Sequence, residues 1–332
     1  PAISDTNLQN GVIPVPPLAE QQAIVSQVEK LFNQIDRLHA LAQKRINYRE
    51  KSAKALFSKI NQAEDDTELQ ETWQTLTAHF HNLTHSKESV KLLRQSILQM
   101  AVQGKLTAKW REENPYVEPA SVLFEKIKAE KEQLIEKGKV KKQKLLPPVS
   151  DDEKQFALPE NWKWIRLSDT GDIYNGNSIS KSDKKILYCM VDNGIPYLST
   201  KDIGYGSQIE DYNTGVYIPQ NEHKFKIAKR NSVLICSEGG SAGKKISYIT
   251  RDICFGNKLL TNSNFSGINS LFVFYLYQSS YFSDVFKNSM SGLIGGISMT
   301  NFKSLPFALP PLAEQKVIVS KVKQLMAWCD EL

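Results

Sequence analysis

Residues 3–38 of the chain recur, without a gap, as residues 297–332. The first copy reads ISDTNLQNGVIPVPPLAEQQAIVSQVEKLFNQIDRL and the second ISMTNFKSLPFALPPLAEQKVIVSKVKQLMAWCDEL; 17 of 36 positions are identical, including the run PPLAEQ. Self-similarity at a fixed offset, here 294 residues, marks a repeating structural unit. The chain therefore holds one full period and the start of another. That pattern fits a fragment of a two-fold repetitive protein, or a half-length version that pairs with itself.

The repeat has a physical grammar. A strand-like tail, Val12 to Val15, meets Pro16 and Pro17. Proline fixes φ and suits a first helical turn, where its missing N–H costs nothing. Glu20 falls in that turn, where a carboxylate complements the positive end of the helix dipole. Ile24, Val28, Leu31, Ile35, Leu38 and Ala42 then follow at spacings of 4, 3, 4, 3 and 4, a coiled-coil seam. Ile318, Val322, Leu325, Cys329 and Leu332 repeat it in the second copy.

The spacing predicts one helix over residues 17–61, with Ala53, Leu56 and Ile60 continuing the seam and a length of roughly 65 Å. The polar stretch NQAEDDTE predicts a turn. A second helix is expected from about Leu69 to Val102, striped by Trp73, Leu76, Phe80, Leu83, Val90, Ile97 and Met100 and stopped by Gly104. Two long helices with a short polar link should pack antiparallel. Residues 105–157 read as a connector with one amphipathic helix, Val122 to Lys137, followed by KVKKQK and Pro147-Pro148. That lysine run is either a solvated linker or a contact to a nucleic-acid backbone.

From residue 158 to 308 the helical period stops. Short β-branched and aromatic runs (WIRL, IPYL, GVYI, SVLIC, ISYI, CFGNKLLT) alternate with Gly, Asn, Asp and Ser, the signature of a β-rich mixed domain. One apolar helix stands out near Asn269 to Lys287. The fold class expected is α+β: long antiparallel coiled-coil helices plus this β-rich domain.

Composition narrows the function classes. With 42 Lys plus Arg against 36 Asp plus Glu the chain carries +6, and its mean hydropathy is −0.38. Such mild basicity permits a polyanionic partner without demanding one. No apolar run reaches the ~18 residues of a membrane span, so no membrane partner is expected. The four cysteines, Cys189, Cys236, Cys254 and Cys329, form no CxxC pair, which argues against a zinc ribbon or disulfide scaffold and fits a reducing cytoplasm. Catalytic motifs are missing. Asn114-Pro115-Tyr116 lacks one proline of the loop that holds a flipped base in amino-methyltransferases. GGSAGKK, Gly239 to Lys245, is one residue short of a phosphate-cradling Walker loop and ends in lysine. It reads as a plain turn or as a glycine turn whose amides approach DNA phosphate. His79, His81 and His85 read as a solvated helix face.

PPLAEQ opening a helix twice, LRQSILQMAVQGKLT (93–107), LPENWKWIRLSD (158–169), IPYLSTKDI (195–203), SEGGSAGKK (237–245) and GGISMTNFKSLPFALPPLAEQ (295–315) together resemble the DNA-specificity subunit of type I restriction–modification enzymes. The resemblance covers essentially the whole chain. It implies the tail of a first target-recognition domain at 1–15, a central conserved helical region at 16–104, the connector at 105–157, a second target-recognition domain at 158–308 and the start of a second conserved helix at 309–332.

The resemblance further implies a non-catalytic subunit of a prokaryotic, cytoplasmic complex. It would recognise double-stranded DNA and direct adenine-N6 methylation and restriction at a bipartite site, with modification (methyltransferase) and restriction subunits as partners. S-adenosylmethionine, ATP and magnesium are implied for those partners and no cofactor or metal for this chain. A self-dimer is a further possibility, and a coiled-coil scaffold with a protein-binding β-rich domain is the alternative from another class.

DNA contacts are expected in the loops of residues 158–308. The basic candidates are Lys181, Lys184, Lys185, Lys201, Lys244, Lys245, Arg251, Lys258 and Lys303, with Gly239 and Gly240 for backbone approach. Asn177, Lys201, Asp202, Asn257 and Asn301 are the residue types that read base edges. Tyr188, Tyr197, Tyr205, Tyr212 and Tyr217 read as structural. The seam Ile24, Val28, Leu31, Ile35, Leu38, Leu56, Ile97, Ile318, Val322 and Leu325 is the expected helix and subunit interface.

Overall fold

A computed structural model describes residues 9–63, 66–189, 191–291 and 295–332. The expected tail of a first domain, 1–15, lies partly outside these residues. Where it is described, Val12, Ile13 and Val15 are exposed and form no strand. Its counterpart in the second copy is a buried strand, β11 (Pro306–Leu309), paired antiparallel with β1 (Lys163–Arg166). A strand exists only with a partner, and among the described residues Val12–Val15 has none.

Helix α1 (Leu18–Gln62) is 45 residues long, about 68 Å. Only its C-terminal part is covered: Ala53, Phe57 and Ile60 are buried and Leu56 packs on the core. Ile24, Val28, Leu31, Ile35 and Leu38 are exposed, between 43% and 66%. The seam expected to close over them is thus open among the described residues.

The expected single helix from Leu69 to Val102 is three: α2 (Asp66–Ala78), α3 (Phe80–Leu83) and α4 (Lys87–Val102). Ser86 starts α4 with a reciprocal capping box to Ser89, which reverses the chain. Arg49 donates to Asn82 at 2.7 Å, and Lys105 donates to the Asn61 carbonyl at 3.1 Å. Hence α2 and α3 run back along α1, whereas α4 runs parallel to it. The antiparallel partner of α4 is α11 (Leu312–Asp330). Arg94 meets Asp330 at 2.6 Å, and Lys321 donates to the Leu106 carbonyl at 2.9 Å. Ile97, Ile318 and Val322 are buried in this packing and Leu325 lies half-buried against it. Phe80 stacks on Trp328 at 4.6 Å, closing the bundle at the far end of α11.

The second copy of PPLAEQ shows what the repeat builds. Glu314 is fully buried and accepts from Thr107 and Arg111, each at 2.6 Å, and from the Trp162 indole at 2.8 Å. Gln315 donates to the Pro310 carbonyl at 3.0 Å, and Gln21 repeats that bond to Pro16 at 2.8 Å. Glu20, the counterpart of Glu314, is exposed.

The connector is tied down. It holds α5 (Ala108–Glu113) and α6 (Ala120–Glu136), and Gly138 ends the latter at φ 68°. Arg166 then gathers the proline segment. It donates to the carbonyls of Pro147 and Pro148, both at 2.9 Å, and pairs with Glu153 at 2.5 Å.

The head has two layers of sheet. Five strands lie in the order β2 (Gly171–Asn175), β10 (Leu259–Asn264), β7 (Val233–Cys236), β8 (Ile246–Tyr248), β4 (Tyr205–Gln208), with only the β4–β8 pair parallel. The four-stranded sheet runs β5 (Tyr217–Ile218), β3 (Ile195–Leu198), β9 (Ile253–Phe255), β6 (Ile227–Ala228). The continuous apolar run of β7 is the mark of a strand buried on both faces. Val233 and Ile235 join the main core with Phe272 and Tyr277, while Leu234 and Cys236 pack with Leu198 and Phe255. The expected apolar helix near 269–287 is split into α8 (Ser270–Gln278) and α9 (Ser280–Asn288), because Ser279 caps the second by accepting from the Phe282 amide. Two further short helices complete the head, α7 (Lys181–Ile186) and α10 (Met299–Ser304).

Candidate nucleic-acid interface

Strand direction decides which loops meet. Cys236 ends β7, Ile246 begins β8, Leu259 begins β10, Tyr205 begins β4 and Asn175 ends β2, and the pairing registers bring all five to one end of the five-stranded sheet. The loops leaving that end contain Lys201, Asp202, Gly239, Gly240, Lys244, Lys245, Asn257 and Lys258. Eight candidates spread over 58 residues of sequence are therefore neighbours in space.

Each has a definable state. Gly239 holds φ at 77°, and a side chain at Gly239 or Gly240 would meet open space. The amides of Gly240 and Ser241 make no hydrogen bond within the described residues. Two successive unpaired amides in a glycine turn form a concavity suited to an anion. Lys244 folds back to the Gly240 carbonyl at 3.0 Å. Lys245 donates to the Thr200 carbonyl at 2.8 Å and lies over the Tyr205 ring, so it also fastens two loops together. Lys201, Asn257 and Lys258 are exposed, and among the described residues their side chains have no hydrogen bond or ion pair. Asp202 is committed elsewhere: its carboxylate accepts from the Ser199 amide at 2.8 Å and hydroxyl at 2.7 Å, closing a turn.

Asn177 sits at the same end with both ends of its side-chain amide engaged. Its Oδ1 accepts from the Lys226 amide at 2.9 Å and its Nδ2 donates to the Lys224 carbonyl at 3.2 Å. Its carbonyl accepts from Tyr197, whose hydroxyl pKa burial pushes up to about 12, while Lys184 lies 4.9 Å over the Tyr197 ring. Lys181 and Lys185 project from the same short helix, α7, and are exposed.

Three candidates are not brought into this group. Arg251 follows β8 and stands at the opposite end of the sheet, 5.4 Å over the Tyr212 ring. Asn301 donates to the Ser289 carbonyl and packs a turn. Lys303 is half-buried on α10, against β2. One residue absent from the expectations belongs to the group: Lys226, which donates to the Asn175 carbonyl at 2.9 Å and side chain at 3.0 Å. The alternation Lys224, Phe225, Lys226, with Phe225 buried, is the signal that points its charge outward.

A compact sheet head with a basic, glycine-turned loop end is carried on a long helix and a short bundle. Residues 159–332 match the family described as Type I restriction modification DNA specificity domain, and the chain belongs to that family. The EcoAI specificity subunit of Escherichia coli is 30% identical over 98% of this chain and 54% of its own length. The EcoEI specificity subunit is 28% identical over 98% and 55%. The chain thus spans about half the length of these curated relatives. The HsdS subunit from Thermoanaerobacter tengcongensis covers the whole chain at 19% identity, with a TM-score of 0.44 over 56% of that structure.

Proposed function

We propose that this chain is a DNA-reading portion of a type I specificity subunit: the loop end of the head binds duplex DNA and the helices hold it at a set reach. The observation that carries the reading is the gathering of Lys201, Lys244, Lys245 and Lys258 around the open Gly239–Gly240 turn. Lysines and free amides position phosphate, while Asn257, exposed beside Lys258, has the donor and acceptor pair that reads adenine.

The chain itself supplies recognition and no chemistry. Modification subunits would methylate with S-adenosylmethionine, and restriction subunits would consume ATP with magnesium, in a prokaryotic cytoplasm. The uncovered apolar stripe from Ile24 to Leu38 supports a protein contact on the same rod, with a modification subunit or a second copy. Titration of the chain, alone and with modification subunits, against duplexes of varied sequence tests the reading. Binding that weakens with salt and gains sequence preference on assembly is the expected outcome. Equal affinity for every sequence in the assembled complex would overturn it.

A further inference from the structure

Lysines from four separate segments gather along β2, beside the loop end. This strand is an edge of the five-stranded sheet. Before its first residue, Lys131 of α6 donates to the Ser168 carbonyl at 3.0 Å and to the Asp169 carboxylate at 2.8 Å. At its last residue, Lys226 grips Asn175. Between them α10 packs on the strand and carries Lys303. Lys141 follows Val140, whose amide bonds the Leu134 carbonyl at the end of α6 and so brings the KVKKQK run alongside.

Negative charge there is short. Asp169 serves Lys131, and the half-buried Asp172 lies within the field of all four lysines. Burial nevertheless keeps the Asp172 carboxyl above its ordinary pKa. Burial lowers that of Lys303, with Lys131 and Lys226 adding to the effect. Structural ion pairing would give each lysine an acid. Among the described residues Lys141, Lys226 and Lys303 form no ion pair and share only the field of Asp172; Lys303 is half-buried and Lys141 and Lys226 are exposed, so the flank presents a row of like charge to an anion in solvent.

We propose that the β2 flank is a second phosphate-backbone contact for duplex DNA, running from the loop end past Lys226 and Lys303 to Lys131 and the KVKKQK linker. This rests on the DNA-binding reading of the head and gives it a direction. Extent argues for a duplex over a small anion. The extended residues of β2, Gly171–Asn175, span about 14 Å at ~3.4 Å per step, or about four base-pair rises, and Lys131 lies beyond the strand's first residue. Lys226 belongs to both surfaces, so the track is continuous with the loops.

The test uses a fluorescent duplex of about 30 base pairs and the whole chain, with affinity followed as salt is raised. Replacing Lys141, Lys226 and Lys303 together by Gln should weaken binding alike on every sequence. It should also lower the slope of log affinity against log salt by about 2–3, at ~0.9 per phosphate contact. Unfolding by urea checks that the triple variant is folded. If it is not, Lys141→Gln alone, on the exposed linker, should lower the slope by about 0.9. An unchanged slope in a folded flank variant, with a reduced slope in Lys201→Gln/Lys258→Gln, overturns the flank and leaves the loop reading standing. No binding by the unsubstituted chain at about 50 mM salt overturns the DNA reading itself.

Discussion

Arg111 and Glu314, 203 positions apart, meet at 2.6 Å with the carboxylate wholly buried. Trp162 and Thr107 complete its shell, so one glutamate of the PPLAEQ repeat joins α11, the connector and the residue that leads into the head's first strand. Removing one partner of a buried pair costs roughly 3–5 kcal/mol, because the remaining groups lose their counterpart. Glu314→Ala should therefore lower unfolding stability by about 3 kcal/mol. Glu20→Ala, at the exposed equivalent site, should change it by less than about 0.5 kcal/mol. Urea denaturation of the two variants makes the comparison, and equal losses would remove the joint assigned to Glu314.

The clamp at Arg166 gives a pH dependence. Hydrogen bonding by Arg166 lowers the Glu153 carboxyl from its ordinary 4.5 to about 2. A depressed folded-state pKa stabilises above the unfolded value and is lost on acidification, so this contribution should fade between about pH 4.5 and 2. Glu153→Gln should flatten the stability profile in that window and leave the profile above it parallel. Acid titration followed by circular dichroism measures this; a profile identical to that of the unsubstituted chain would dissociate Glu153 from the clamp.

Two glycines of one loop should behave differently. At Gly243 φ is 69°, and an added Cβ would lie 2.6 Å from the Phe286 ring. Gly240 has neither constraint. Gly243→Ala should cost about 1–3 kcal/mol from strain and overpacking, whereas Gly240→Ala should stay within about 0.5 kcal/mol. Thermal unfolding of both decides it.

Arg251 offers a control for DNA contact. Lys201→Ala with Lys258→Ala should lower the salt slope by up to about 2, while Arg251→Ala, at the far end of the sheet and three strands across from β2, should leave slope and affinity unchanged. A larger effect from Arg251 would move the interface to that end.

The open stripe of α1 makes a similar contrast. Leu31→Asp and Ile35→Asp should leave the chain's own stability within about 0.5 kcal/mol and abolish assembly with modification subunits. Phe57→Ala, in the covered part of the same helix, should cost roughly 3–5 kcal/mol. Sedimentation with modification subunits, together with urea unfolding, reads both arms.

Local rules made much of this legible in the sequence. The 3–4 spacing located α1 to within a residue or so, and Gly104 and Gly138 ended their helices as positive-φ residues do. The breaks at residues 79–86 and at Ser279 were hidden because the apolar stripe stays in phase across them, and only a serine cap marks the reversal. Periodicity also shows that a stripe exists without showing what covers it, so Ile24 and Ile318 look alike in sequence and differ in burial. Loop lysines were found by composition, but sheet topology alone sends Arg251 one way and Lys258 the other. Lys226 was missed because its function of holding Asn175 depends on a contact 51 residues away.

The apolar interior is unbroken from Phe57 and Ile97 in the helices to Phe272, Tyr277 and Phe307 in the head. Pivoting the head about the bundle would tear that interior open, so the two move as a single casting. On the proposed DNA reading, strain from a bent duplex would then fall on the nucleic acid and not on a hinge between head and bundle.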